Sequence, residues 1–182
     1  MPALTFPRPG RRTVLLGGLA AALLGGTARA AYQVRPWAPG RPAPKLELDD
    51  LGGKPWSLAA QRGQVVVMNF WATWCEPCRA EMPSLELMAQ RLENDGVVVV
   101  AINYQEPLPA IRRFLEAQPV TLPILLDRNG DAASTWTPRV FPSTVLIDRT
   151  GQPRLTVLGE LDWTGAAARA LVDPLVARTK TA

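Results

Sequence analysis

Apolar positions along the chain switch between two spacings, and the switches outline the elements. Residues 64–70 form a continuous, β-branched apolar run, which predicts a strand buried on both faces. Residues 75–93 change to a helical spacing, with Met82, Leu85, Leu87, Met88 and Leu92 making an apolar stripe that ends at Asn94-Asp95-Gly96. Residues 97–102 predict a second buried strand, 108–117 a helix between prolines, 124–126 a short strand and 131–136 a short helix. Residues 143–148 and 154–158 read as strands joined by the tight turn Arg149-Thr150-Gly151-Gln152, and 163–179 as a closing helix. Earlier, 45–48 and 55–58 flank Asp50-Leu51-Gly52-Gly53, the pattern of a hairpin. Pro83 and Pro174 fall inside helical patterns and predict kinks. Strands alternating with helices mean parallel βαβ units, whereas the last two strands, joined by a short turn, must be antiparallel. The expectation is an α/β fold with a mixed sheet and helices on both faces.

The two ends of the pattern differ from its middle. Arg11-Arg12 precedes a small and apolar run over residues 13–26, followed by Ala28-Arg29-Ala30, a small-x-small cleavage pattern. Residues 1–30 therefore read as a secretory signal peptide. The apolar run is short for a spanning helix, which needs about 20 residues; an uncleaved anchor is the alternative. The twin arginine also permits the twin-arginine export route beside the general one. Residues 31–44 carry four prolines and predict an extended linker or arm, leaving 45–182 as the folded domain.

Composition narrows the chemistry. There is no histidine in the 182 residues, which excludes a Ser-His-Asp triad, a histidine-bound zinc and an imidazole proton shuttle. Two cysteines cannot build a disulfide scaffold or a four-cysteine metal site, so no metal is expected. The net charge of +4 arises in the leader, whose Arg8, Arg11, Arg12 and Arg29 face no acid. The rest of the chain is balanced, and no nucleic-acid partner is expected.

Export changes the meaning of the two cysteines, because disulfides persist in oxidising compartments. Trp74-Cys75-Glu76-Pro77-Cys78 lies between a buried strand and an amphipathic helix. Two intervening residues let both sulfurs lie on one turn, close enough to bridge. Pro77 suits the first turn of a helix, where its missing N–H is not needed. Cys75 then stands at the helix start, where unpaired N–H groups and the dipole favour the thiolate that performs disulfide exchange. Cys75 is the expected attacking group and Cys78 the resolving one. A structural staple is a poor alternative, since so short a ring constrains the unfolded chain little. Glu76 sets a like charge beside the thiolate, which raises the thiol pKa and makes the dithiol a better reductant. A c-type haem is excluded by Arg79, where histidine would be required.

Residues 69–83, Asn69-Phe70-Trp71-Ala72-Thr73-Trp74-Cys75-Glu76-Pro77-Cys78-Arg79-Ala80-Glu81-Met82-Pro83, resemble the active-site segment of thioredoxin-like proteins. With Val140-Phe141-Pro142-Ser143-Thr144 and Gly159-Glu160-Leu161-Asp162-Trp163, the chain is similar to the exported TlpA/ResA branch of thiol–disulfide oxidoreductases over residues 45–175. The resemblance implies a thioredoxin-like fold with an N-terminal hairpin and a central insertion, which residues 103–135 could supply. It implies a cis-proline at Pro142, behind Phe141, presenting backbone to the substrate. Trp74, Glu76 and Pro77 complete the expected substrate surface. It gives Glu81, about one turn beyond Cys78, a part in proton transfer to and from the cysteines; Asn69, at the place of the buried acid of ordinary thioredoxins, cannot ionise. Trp71 and Phe70 are expected in the core.

The implied function is an exported, periplasmic thiol–disulfide reductase without cofactor. Its partners would be client proteins with disulfides or thiols, in cytochrome c maturation or copper-site assembly, and a membrane thiol donor. An oxidase or isomerase would use the same site with a more oxidising couple. A peroxide reductase would need a lone peroxidatic cysteine in a Pro/Thr loop, and a binding module would hold clients at the Pro142 face without chemistry.

Overall fold

The computed structural model describes residues 32–177. The expected signal peptide and the last residues of the closing helix lie outside the described residues. Eight strands form: β1 (Tyr32–Pro36), β2 (Glu47–Asp49), β3 (Pro55–Ser57), β4 (Val65–Trp71), β5 (Val97–Tyr104), β6 (Ile124–Asp127), β7 (Ser143–Ile147) and β8 (Pro153–Gly159). Four helices accompany them: α1 (Glu76–Leu92), α2 (Leu108–Ala117), α3 (Asp131–Trp136) and α4 (Ala166–Ala177). Among the described residues no helix is long and apolar enough to cross a membrane.

The main sheet has the order β1-β8-β7-β4-β5-β6. Its β4, β5 and β6 are parallel, and β7, β8 and β1 are added antiparallel. The expected mixed sheet is therefore present, and the 45–58 segment is the separate hairpin β2–β3. Strand β4 is buried at all seven positions because layers cover both its faces. Val65, Val67 and Trp71 point into a core with α1, α2 and α4. Val66, Met68 and Phe70 point into a second core with α3, Trp37 and the hairpin side chains Leu46 and Leu58. By this alternation Asn69 faces α1, and that direction decides its role below.

Two expectations change. The Pro-rich stretch is extended, but its first described residues are the edge strand β1, paired antiparallel with β8 from Tyr32↔Gly159 to Pro36↔Leu155. Pro36, at the edge, needs no ladder donor there. Trp37 then stacks on Trp136 with ring centroids 5.5 Å apart, anchoring the arm to the second core.

The helix expected over 163–179 begins at Ala166. Asp162 accepts the Thr164 N–H and hydroxyl, and this side-chain turn holds the preceding residues out of the helix.

Helix α1 runs without interruption through Pro83. A proline inside a helix removes the bond to the carbonyl four residues earlier, here Arg79. The Gln118 side-chain amide donates to that Arg79 carbonyl at 3.1 Å, so the freed acceptor is satisfied.

Candidate active site

The loop between β4 and α1 presents the two cysteines. Cys75 is the N-cap of α1 in extended conformation, and its Sγ accepts the Cys78 N–H at 3.3 Å. Pro77 occupies the first helical turn, where no donor is lost. Cys75 and Cys78 form a disulfide. Cys75 is 6% exposed and Cys78 is 0% exposed. Of the two residues, only Cys75 keeps any exposure.

Around the cysteines the expected surface residues divide by burial. Trp74 is 63% exposed, Glu76 and Pro77 are exposed, Phe141 is half-buried and Pro142 is buried. The Trp74 and Phe141 rings meet edge to face at 6.0 Å, which brings the Cys75 loop against the loop before β7. Tyr104 packs on Phe141 at 4.9 Å. The Phe141–Pro142 peptide is cis. Val140, two residues before Pro142, is a further exposed apolar side chain, 48% accessible.

Glu76 does not stand alone beside the thiol. Arg79 lies one turn on, and its guanidinium reaches the Glu76 carboxylate at 3.2 Å with both groups exposed. The pair softens the charge that the sequence assigns to Glu76, though exposed pairs are screened and weak. We expect Glu76→His still to lower the Cys75 pKa and raise the reduction potential of the couple. Thiol alkylation across pH and equilibration with dithiol buffers would read the two effects, and no movement in either contradicts the role given to Glu76.

Glu81 is nine-tenths and more hidden, at 2% exposure, one turn beyond Cys78 on the buried side of α1. Strand β4 and the β8–α4 loop converge on its carboxylate. The Asn69 side-chain amide of β4 donates to Oε1 at 2.6 Å. The Leu161 backbone N–H and the Trp163 indole donate to Oε2 at 3.2 and 3.3 Å. Thr144 of β7 meets the same Asn69 amide at 3.0 Å. Burial pushes the Glu81 carboxyl up to about 7 against the lowering pull of the Leu161, Asn69 and Trp163 donors; the nearby Glu160 charge adds to the rise. A cleft of about 300 Å³ beside this carboxyl is lined in part by Glu81, Pro83, Leu87, Glu160 and Asp162. The arrangement can hold or release a proton near neutral pH beside a dithiol.

Two contributors escape sequence reasoning. Trp163 closes the Gly159-Glu160-Leu161-Asp162-Trp163 motif without any local sign of its role, yet its indole holds Glu81 and its N–H donates to Ser84 of α1. Glu106, just after β5, accepts the Thr73 N–H and hydroxyl and the Asn103 amide. It thereby pins the loop that carries Trp74 and Cys75. No local pattern marks Glu106, because its loop partner lies 33 residues earlier.

The chain matches the AhpC/TSA family over residues 39–154. It is 35% identical over 124 residues to the thiol-disulfide oxidoreductase ResA of Geobacillus kaustophilus, covering 68% of this chain and 71% of that protein. A solved structure of a candidate thiol:disulfide interchange protein DsbE from Chlorobium tepidum superimposes with a TM-score of 0.70 at 28% identity, over 75% of this chain and 96% of that one. The exposed lipoprotein thioredoxin Etrx1 of Streptococcus pneumoniae superimposes with a TM-score of 0.63 at 25% identity, over 71% and 99%. A disulfide at the start of α1, a thioredoxin-like sheet and these relatives agree, and the chain belongs to the AhpC/TSA family as a thioredoxin-like thiol–disulfide oxidoreductase of the TlpA/ResA type.

Proposed function

We propose that the chain is an exported reductase of partner-protein disulfides. The observation that carries this reading is the pairing of a reachable Cys75 with a buried Cys78 and, one turn on, a buried carboxyl that titrates near neutrality. The Cys75 thiolate attacks one sulfur of a client disulfide; the client S–S bond breaks and its departing thiolate takes a proton. Glu81, as carboxylate, accepts the Cys78 proton. Cys78 Sγ then attacks Cys75 Sγ, the mixed disulfide breaks, and the second client thiolate leaves and is protonated. The client gains two electrons and two protons, and Cys75–Cys78 is oxidised. A membrane thiol donor restores the dithiol by the reverse exchange.

Trp74, Pro77, Phe141 and Pro142 form the proposed client surface, with Glu76 at its edge. The apolar exposure of Trp74 supports that assignment. Export rests on the leader pattern of residues 1–30, and places the domain in the periplasm or on the outer face of the membrane. The S. pneumoniae relative is described as exposed, which agrees with this placement. Cytochrome c maturation or copper-site assembly proteins are the client classes that the resemblance suggests. A peroxide reductase fits less well, because Cys75 already has a partner sulfur three residues away.

The deciding experiment is the reduction potential of the Cys75–Cys78 couple. We expect a value at or below that of thioredoxin, about −270 mV. A value near that of DsbA, about −120 mV, would make the protein an oxidant and overturn the reductase reading.

A further inference from the structure

The hydrogen bonds around Glu81 contain a conflict. Its Oε2 is held by two groups that can only donate, the Leu161 N–H and the Trp163 indole. A proton arriving at the carboxylate must therefore settle on Oε1. There it meets the Asn69 Nδ2, also a donor, 2.6 Å away. A hydrogen on the Oε1 lone pair that faces Nδ2 cannot share that space with the amide hydrogen. The Asn69 Oδ1, on the other arm of the same carboxamide, is buried with no hydrogen-bond partner among the described residues.

We propose that Asn69 turns its carboxamide over as Glu81 takes up its proton, so that one side chain donates to the carboxylate and accepts from the carboxylic acid. The inference rests on the proton-carrying role of Glu81 given above. In the ionised state both Nδ2 hydrogens are used, one on Glu81 Oε1 and one on Thr144 Oγ1. After a half-turn Oδ1 occupies that place. Its two lone pairs accept from the Glu81 O–H and from the Thr144 hydroxyl, which can donate as readily as it accepts. The separation of 2.6 Å is shorter than most N–H···O contacts and falls within the usual O–H···O range. It therefore suits both states without movement of the backbone. The turn exchanges an unpaired buried carbonyl for an unpaired buried amide, so neither state is strongly preferred for that reason alone.

Asn69 is thus a positioning residue. It lies in the centre of β4, opposite Thr144 of β7, on the face that α1 covers. The other charged or titratable groups around the carboxyl are the Cys75–Cys78 pair on α1 and Glu160 and Asp162 in the β8–α4 loop. Among the described residues no lysine or arginine lines the cleft beside Glu81. An aspartate at 69 would add a second carboxylate to that set. An asparagine follows the proton without carrying charge.

The test is nuclear magnetic resonance on the oxidised full-length domain with labelled Asn side-chain nitrogen and Glu carboxyl carbon. The Glu81 carboxyl shift is followed from about pH 5 to 9, on either side of the expected midpoint, and the Asn69 Nδ2 protons are located by their contacts with Thr144. We expect those contacts above the Glu81 midpoint and their loss below it. If Glu81 titrates while the Asn69 contacts stay constant, the turn does not occur and the proposal fails alone. If Glu81 shows no titration in this range, the proton-carrier reading fails and takes the proposal with it. A second readout is Asn69→Leu, which removes a donor from the charged form and an acceptor from the neutral one. A bond to a charged group is the stronger, so the proton affinity of Glu81 should rise about tenfold. An unchanged midpoint in that variant overturns the coupling.

Discussion

Cys75→Ser is expected to lower disulfide-reductase activity by at least about 10³-fold. The hydroxyl of serine is not ionised near neutrality, so no nucleophile remains at the one of the two positions that keeps any exposure. Cys78 cannot substitute, because it is fully buried beneath the first turn of α1. Cys78→Ser should fail differently. Cys75 can still attack, its Sγ still lies at the N-cap near the amide of residue 78, and the mixed disulfide then has no resolving thiol. A covalent complex with the client should accumulate and run as a heavier band without reductant. Turnover by insulin reduction and trapping on non-reducing gels measure the two outcomes. A Cys75→Ser protein that retains its full biological effect would show that client binding, not exchange, is the function.

Glu81→Gln should reshape the pH dependence of stability. The carboxyl titrates at about 7 in the folded chain, against an ordinary value of 4.5. Between those values the folded state binds more protons than the unfolded state, so stability falls as pH rises through that window and levels off above it. The whole fall is about 3 kcal/mol, since each tenfold gain in proton affinity is worth about 1.4 kcal/mol. Glutamine cannot ionise, so the variant should lose this slope. Its stability relative to the parent should improve by about 3 kcal/mol from about pH 4.5 to about pH 8. Urea unfolding of the oxidised proteins at several pH values checks this, and parallel curves for the two proteins would contradict it. The same substitution should remove the inflection near neutrality from the pH profile of Cys75 alkylation in the reduced protein. An unaltered profile would remove Glu81 from the proton transfer.

How legible each part was follows from how far apart its partners lie. The helices over 108–117 and 131–136 have the bounds expected, since apolar spacing and, for the first, flanking prolines are local signals. Strand β5 runs two residues past its expected end, to Tyr104. Pairing of Asn103 and Tyr104 with Leu126 and Asp127 extends it, and that pairing depends on another segment. The arm at 32–36 reads as a linker because the prolines of 31–44 outweigh the short alternation Tyr32-Gln33-Val34-Arg35; its pairing is supplied by β8. Trp163 reads as the start of a helix, because nothing nearby reveals that its indole is needed 82 residues back.

By itself the sequence determined the element order, the placement of Cys75 and Cys78 at a strand-to-helix junction, and the position of Glu81 one turn beyond them. Each depends on spacing within one stretch of chain, where the helix and strand periods set geometry directly. Only the tertiary structure decided what Glu81 is. Its partners come from residues 69, 161 and 163, with Thr144 behind them, and its proton affinity is a consequence of the burial they create. A carboxylate on a helix has an ordinary acidity until other segments remove its water, and that removal is a property of packing in three dimensions.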